Sequence, residues 1–270
     1  MNLNKIISLL DFDKIDQDEI KYLADRRGFF KQAKQFSVKA AFAAVPIAMT
    51  LMPKTVKAQS SSVVDVLNFA LTLEYLESEF YVMGLAASGL IPAADRTIFM
   101  QIAKHESQHV DFLKTALGSA AVAKPTFDFT AGGAFPTAFS DYMTFLTLSQ
   151  AFEDTGVRAY KGQAGNLIND NETLKAALQI HSVEARHASV VRRLRAVASS
   201  QPIKAWVIGK EPNGAPQASY DGEENITHAT ISLDSIASLA SYPMNAKTGA
   251  FDEPLTKEQV LAIVGPFVVI

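Results

Sequence analysis

Glu106-Ser-Gln-His109 and Glu184-Ala-Arg-His187 decide how this chain reads. Both have the form Glu-x-x-His. On an α-helix, residues i and i+3 lie about 60° apart around the axis, so each Glu and its His leave the same face. A carboxylate beside an imidazole makes half of a metal site. Two such halves on facing helices, joined by one Glu from each of two further helices, surround a pair of ions in the core of a four-helix bundle. The further carboxylates are Glu74 and Glu153, each set among apolar residues. Glu77, one turn after Glu74, is the rival ligand on that helix.

Spacing ties the two halves together. Glu74 and Glu153 are 79 residues apart, as are Tyr81 and Tyr160, while Glu106 to Glu184 and His109 to His187 are both 78. Each lone Glu precedes its Glu-x-x-His by 32 residues in the first half and 31 in the second. Two helices of about 22 residues, each ~33 Å long and joined by a short turn, put residues at that separation at similar heights. Both ligand sets then meet in one layer. Four carboxylates in one apolar core would be costly without cations.

Around these residues the apolar periodicity predicts four helices, over 62–85, 93–117, 140–160 and 172–198. Val183, Leu174, Leu178, Val190, Val191 and Leu194 face inward on the fourth, and Arg192, Arg193 and Arg195 read as a solvated basic helix end. Residues 118–137, with Pro125, Gly132, Gly133 and Pro136, form a connection longer than an ordinary helix–helix loop. Crossing the length of a bundle takes about ten extended residues at ~3.3 Å each, so this piece suffices. The fold class is therefore all-α: a four-helix bundle with a long crossover between helices two and three. From Gln201 the texture changes to a proline-rich, loop-rich extension carrying the sole Trp206. Short helices are expected there over 232–239 and 257–264, the second opened by a Thr256/Gln259 capping box. The extension is expected to wrap the bundle.

Other residues near the ligands have two readings. Tyr75, Tyr81 and Tyr160 read first as core aromatics, with Tyr81 and Tyr160 also placed to flank a ligand. His181, one turn before Glu184, either hydrogen-bonds a ligand carboxylate or is a partly exposed helix residue. His228 reads as surface. His105 completes His105-Glu106-Ser-Gln-His109, the H-E-x-x-H form of zinc metallopeptidases, with two His on zinc and Glu as base. That alternative leaves Glu184–His187 and the spacing match without a role and lacks a third ligand. In the two-metal reading His105 neighbours the site.

The chain has no cysteine, which removes disulfides, thiolate sites and iron–sulfur clusters and leaves Asp, Glu and His as ligands. Its net charge of −3 is uneven: residues 1–58 hold ten Lys/Arg against six Asp/Glu, and the remainder is acidic. An acidic body argues against a nucleic-acid partner. Asp25-Arg26-Arg27-Gly28-Phe29-Phe30-Lys31 resembles a twin-arginine (Tat) export signal, with Asp25 where Ser or Thr is usual and Phe30 where Leu is commonest. The apolar run from Ala40 to Met52 is too short for a transmembrane helix of about 20 residues and suits a signal segment. Val56-Lys57-Ala58 then fits a cleavage pattern. Three regions result: a leader over 1–58, a bundle over 59–200 and an extension over 201–270.

Taken together, Leu67–Glu77, Ile102–Leu113, Phe152–Tyr160 and Glu184–His187 resemble the bacterial ferritin-like domain family that also includes plant desiccation-related proteins. The segment Ala250–Val260 is similar to the end of such proteins. The resemblance implies a ferritin-like bundle with a dinuclear centre of two Fe or two Mn, ligated by Glu74, Glu106, His109, Glu153, Glu184 and His187. It does not name a reaction: ferroxidase, peroxidase or catalase-like chemistry, acting on a small oxidant, fits equally. The alternative is a non-catalytic structural or stress protein of the envelope with a vestigial site. Export to the periplasm or envelope through the Tat machinery is expected, and the composition leaves room for a homo-oligomer.

Overall fold

The structure, a computed structural model, describes residues 61–269. The leader, with Arg26, Arg27 and the cleavage pattern, lies outside them. Four long helices carry the fold: α1 (Ser61–Ala86), α2 (Ala93–Leu117), α3 (Tyr142–Gln163) and α4 (Asn171–Ser199). Among the described residues no helix is long and apolar enough to cross a membrane.

Short turns make α1 with α2, and α3 with α4, into two hairpins that pack against each other. Asp141 accepts the Thr144 amide at 2.7 Å and caps α3, while Asp170 accepts the Thr173 amide at 3.1 Å and caps α4. Each satisfies an amide that the first turn leaves without a helical acceptor. Asp141→Ala is expected to cost about 1 kcal/mol of stability; a midpoint unchanged in urea would count against the cap.

Tyr142, at the start of α3, donates to Asp95 in the first turn of α2 at 2.8 Å. The two helices therefore start at the same end, so the crossover has returned along the whole bundle. Its path is held by Asn68, which donates to the Ala120 carbonyl and accepts the Val122 amide, both at 2.9 Å. Further along, β1 (Thr126–Phe127) pairs antiparallel with β4 (Val268–Val269), tying the crossover to the end of the chain.

Burial on α1 runs nearly all round from Val63 to Tyr81, and α3 is buried without a break from Leu148 to Tyr160. A helix with no exposed face needs a cover on every side. The extension supplies it for α3. Arg158, 1% exposed, donates to the carbonyls of Ser219, Asp221 and Glu253 at 2.6–2.8 Å and pairs with Glu223 at 2.9 Å. Gly162 is required here: a Cβ would stand 1.9 Å from the Leu255 carbonyl oxygen.

Several expectations change. Arg192 and Arg195 are not a solvated end; they are 2% and 5% exposed. Arg192 forms a two-pronged pair with Asp154, and Arg195 donates to Gln150 and to the Asn213 carbonyl. Only Arg193 of the three is exposed. Leu178 faces solvent rather than the core. Residues 232–239 do not form a helix: β2 (Thr227–His228) and β3 (Ile231–Ser232) make a small hairpin, followed by a single 3-10 turn. Ala229 and Thr230 turn that hairpin with positive φ of 49° and 69°. His228 is half-buried, stacked on Phe251 at 3.7 Å and paired with Glu253. A short α5 (Met244–Thr248) precedes α6 (Lys257–Val264), and α6 has the Thr256/Gln259 capping box.

Candidate metal centre

Each long helix delivers its carboxylate or Glu–His pair to the middle of the bundle. Glu74 comes from α1, Glu106 and His109 from α2, Glu153 from α3, and Glu184 and His187 from α4. All four carboxylates are 0% exposed, and His187 is 4% exposed. Two groups form. Glu74, Glu106, His109 and Glu184 offer ligand atoms within 4.8 Å of one another, and so do Glu106, Glu153, Glu184 and His187. Glu106 and Glu184 belong to both groups, which puts them between two positions.

Nδ1 of His109 lies 3.1 Å from Glu74 and from Glu106 and 3.3 Å from Glu184. Nδ1 of His187 lies 2.8 Å from Glu106 and 3.3 Å from Glu153. Yet Oε1 of Glu106, Oε2 of Glu153, both oxygens of Glu184 and Nδ1 of His187 have no well-directed hydrogen bond. Buried polar atoms are ordinarily satisfied. Five of them gathered at one point match the donor set of hard, oxygen- and nitrogen-binding cations. The site residues therefore fit bound metal ions.

The family model of the ferritin-like domain matches residues 62–196. The chain belongs to the ferritin-like domain family. No curated protein matches it. The match spans the four helices that carry the carboxylate and imidazole groups, so the bundle of this ferritin-like protein is the part its family defines.

The two tyrosines cross between halves. Tyr81 on α1 donates to Glu153 on α3, and Tyr160 on α3 donates to Glu74 on α1, both at 2.5 Å. Burial, then the nearby carboxylates, push both phenols well above their usual pKa, so they remain donors at neutral pH. Each holds one oxygen of a lone Glu and leaves the other for the centre. Tyr75 instead donates to the Val122 carbonyl of the crossover at 3.4 Å.

His105 stands in neither group. Its Nδ1 meets Nε2 of His187 at 2.9 Å, and its Nε2 meets the Gln101 amide at 2.6 Å. The pairing of His105 with His109 that a zinc-peptidase motif needs is thus not formed; His105 braces His187 from outside. His181 does not reach a carboxylate either. Its Nδ1 contacts the Val157 carbonyl at 3.0 Å, inside the α3–α4 hairpin.

Glu77 is 3% exposed and lies beside the groups without joining them. A Cβ on Gly156 would stand 3.2 Å from both Glu184 Oε2 and Glu77 Oε1, so the glycine lets α3 approach these carboxylates. Burial, then the charge of Glu184 and the other carboxylates, pushes the Glu77 pKa well above the usual range. Burial, then the charges of Glu106 and Glu74, raise Glu184 well above it. Burial lifts Glu74 to about 7, against the hydrogen bond from His109. For Glu106, burial is outweighed by the close imidazoles of His109 and His187, which pull it down to about 2. Burial opposes the imidazoliums too, but the close carboxylates of Glu106, Glu184 and Glu74 hold His109 up to about 12. Against its burial, the Glu153 charge and the close approach of Glu106 hold His187 up to about 11.

Charge counting follows. Ionised together, the five carboxylates would carry −5 against +2 from two imidazoliums, which is why burial and mutual repulsion raise Glu77 and Glu184. Bound cations would offset this excess. Buried charge is tolerated when balanced in this way.

The sequence pattern missed the polar cluster behind α3, where Tyr220 donates to Asp154 at 2.7 Å and accepts from Gln150 at 2.9 Å. A signal existed: Ala188, Val191, Arg192 and Arg195 share one stripe at helical spacing, continuing the buried face of His187.

Proposed function

We propose that this is an exported ferritin-like protein that holds a carboxylate-bridged pair of Fe or Mn ions and handles O2 or peroxide in the cell envelope. Glu106 and Glu184 would bridge, Glu74 and His109 would hold one ion, and Glu153 and His187 the other. The observation that carries the reading is the pair of four-residue groups of carboxylate and imidazole ligand atoms, each within 4.8 Å, that share the fully buried Glu106 and Glu184. When bound, such a pair supplies two-electron redox chemistry to a small oxidant. The chain's own residues set the conditions. Tyr81 and Tyr160 orient the terminal carboxylates, and His105 fixes the ring plane of His187. Glu77 is a buried acid that keeps the local charge low. Export is supported by the order of Arg26-Arg27, the apolar run and the cleavage pattern in the leader.

The test is elemental analysis of protein purified after native export. Two Fe or Mn per chain are expected, and Glu106→Ala/Glu184→Ala should lose both while remaining folded. A folded protein that takes up neither metal when both are offered would point to a scaffold role instead. One zinc per chain with peptide cleavage would overturn the reading in favour of a peptidase.

A further inference from the structure

The two ends of the bundle are built differently. Toward the starts of α2 and α3, Phe80, Phe99 and Phe145 close the core, with Phe145 4.8 Å from Phe80 and 5.1 Å from Phe99 between ring centroids. Toward the starts of α1 and α4 the four helices part around a cavity of 370 Å³. Native interiors contain few voids larger than a water molecule. An apolar cavity of about 150 Å³ is enough to hold benzene, so this one has room for roughly a two-ring molecule or a chain of about ten carbons.

The inner wall of the cavity is also the wall of the metal centre. Leu73 precedes Glu74, Leu113 lies one turn after His109, and Ile180 lies one turn before Glu184. Tyr160 lines the cavity and donates its hydroxyl to Glu74. The rest of the interior is apolar and buried, including Leu67, Ala70, Leu167 and Ala177. One polar side chain lies deep in it. Gln163 is 7% exposed, and its Oε1 accepts from Asn166 at 2.9 Å. Its Nε2 has no hydrogen-bond partner among the described residues. An amide N–H with no protein partner, set in a mostly apolar wall, is a polar feature able to orient a ligand in a preformed pocket. The mouth lies between α2 and α4, where Phe112, Glu172, Lys175 and Gln179 are exposed.

We propose that this cavity binds a small apolar organic molecule bearing one hydrogen-bond acceptor. Its body lies among Ala70, Ala177 and the leucines, and its acceptor takes the Nε2–H of Gln163. Occupancy requires no metal, so the inference stands apart from the proposed centre, although the site's position puts its ligand against Tyr160 and Glu74.

The experiment is calorimetric titration of the full chain, stripped of metal, with 1-tetralone and with tetralin, two bicyclic probes that differ by one carbonyl. Both should bind, and 1-tetralone about tenfold more tightly. Gln163→Leu should abolish that preference and leave tetralin binding intact. Ala177→Phe, which fills the cavity, should weaken both probes at least tenfold; Ala70→Leu serves the same end if the first variant fails to fold. No binding of either probe would overturn the proposal, as would undiminished binding by a folded filled variant or a carbonyl preference that survives Gln163→Leu. Repeating the titration with Mn(II) separates this result from the metal reading: probe binding without metal uptake would defeat only the latter.

Discussion

The metal-free protein is expected to lose stability as pH rises from about 5 to 8, and the metal-loaded protein is not. Glu74 sets the lower part of this window. Its pKa is raised to about 7 by burial, whereas an unfolded Glu titrates near 4.5. A raised acid contributes stability that is complete below the unfolded pKa and is lost as pH climbs through the folded one. The loss from Glu74 alone is on the order of 3 kcal/mol. His109 and His187, held up to about 12 and 11, act with the same sign. Their stabilisation is complete below pH 6.5, the ordinary imidazole value, and is given up progressively above it. Glu106, held down to about 2, has the opposite sign, but its effect falls below pH 4.5, outside the window. Cations change this because they take the lone pairs that protons hold and balance the carboxylates. Scanning calorimetry across pH, with chelator and with two equivalents of Mn(II), measures it. Parallel falls of both forms, or a flat metal-free curve, would show that these residues are not coupled to folding in this way. The same linkage predicts proton release on metal binding and an apparent affinity that strengthens with pH.

Arg158→Leu should destabilise the protein by about 3–5 kcal/mol, the usual cost of removing one partner from a buried ion pair. The guanidinium is 1% exposed and meets three carbonyls of the extension as well as Glu223. Without it, Glu223 loses its countercharge; burial already raises that carboxyl to about 7 against the attraction of Arg158. For a domain of this size the melting temperature should drop by roughly 6–20 °C. Limited proteolysis should then cut the extension between Ser219 and Glu253 while α1–α4 survive. Adding Glu223→Leu should restore only the part of the loss due to the stranded carboxylate, since the carbonyls of Ser219, Asp221 and Glu253 stay without their donor. If the single variant melts normally, the extension is held by its apolar contacts alone.

What could be read without a structure was whatever is local and periodic. The helix limits followed from apolar spacing and end signals, and all four long helices fall within three residues of their expected bounds. Thr256 and Gln259 form their capping box because both partners lie within one turn. The offsets of 78 and 79 aligned Glu74, Glu106, His109, Glu153, Glu184 and His187 in one layer, since helical rise converts spacing into height. Residues 232–239 were misread because a short apolar run does not distinguish a helix from a hairpin, and Ala229 and Thr230 gave no ordinary turn signal.

The sequence by itself determined the helices, the long crossover and the order of the carboxylates and imidazoles. The tertiary structure decided what each polar side chain faces. Arg192 and Arg195 are buried because Asp154, Gln150 and the Asn213 carbonyl, supplied by α3 and the extension, receive them. Tyr81 and Tyr160 donate across the bundle rather than within their own helices. Spacing assigns a residue to a face of its own helix. Whether that face meets solvent, a cavity or an oppositely charged group depends on elements distant in the chain, and on no local pattern.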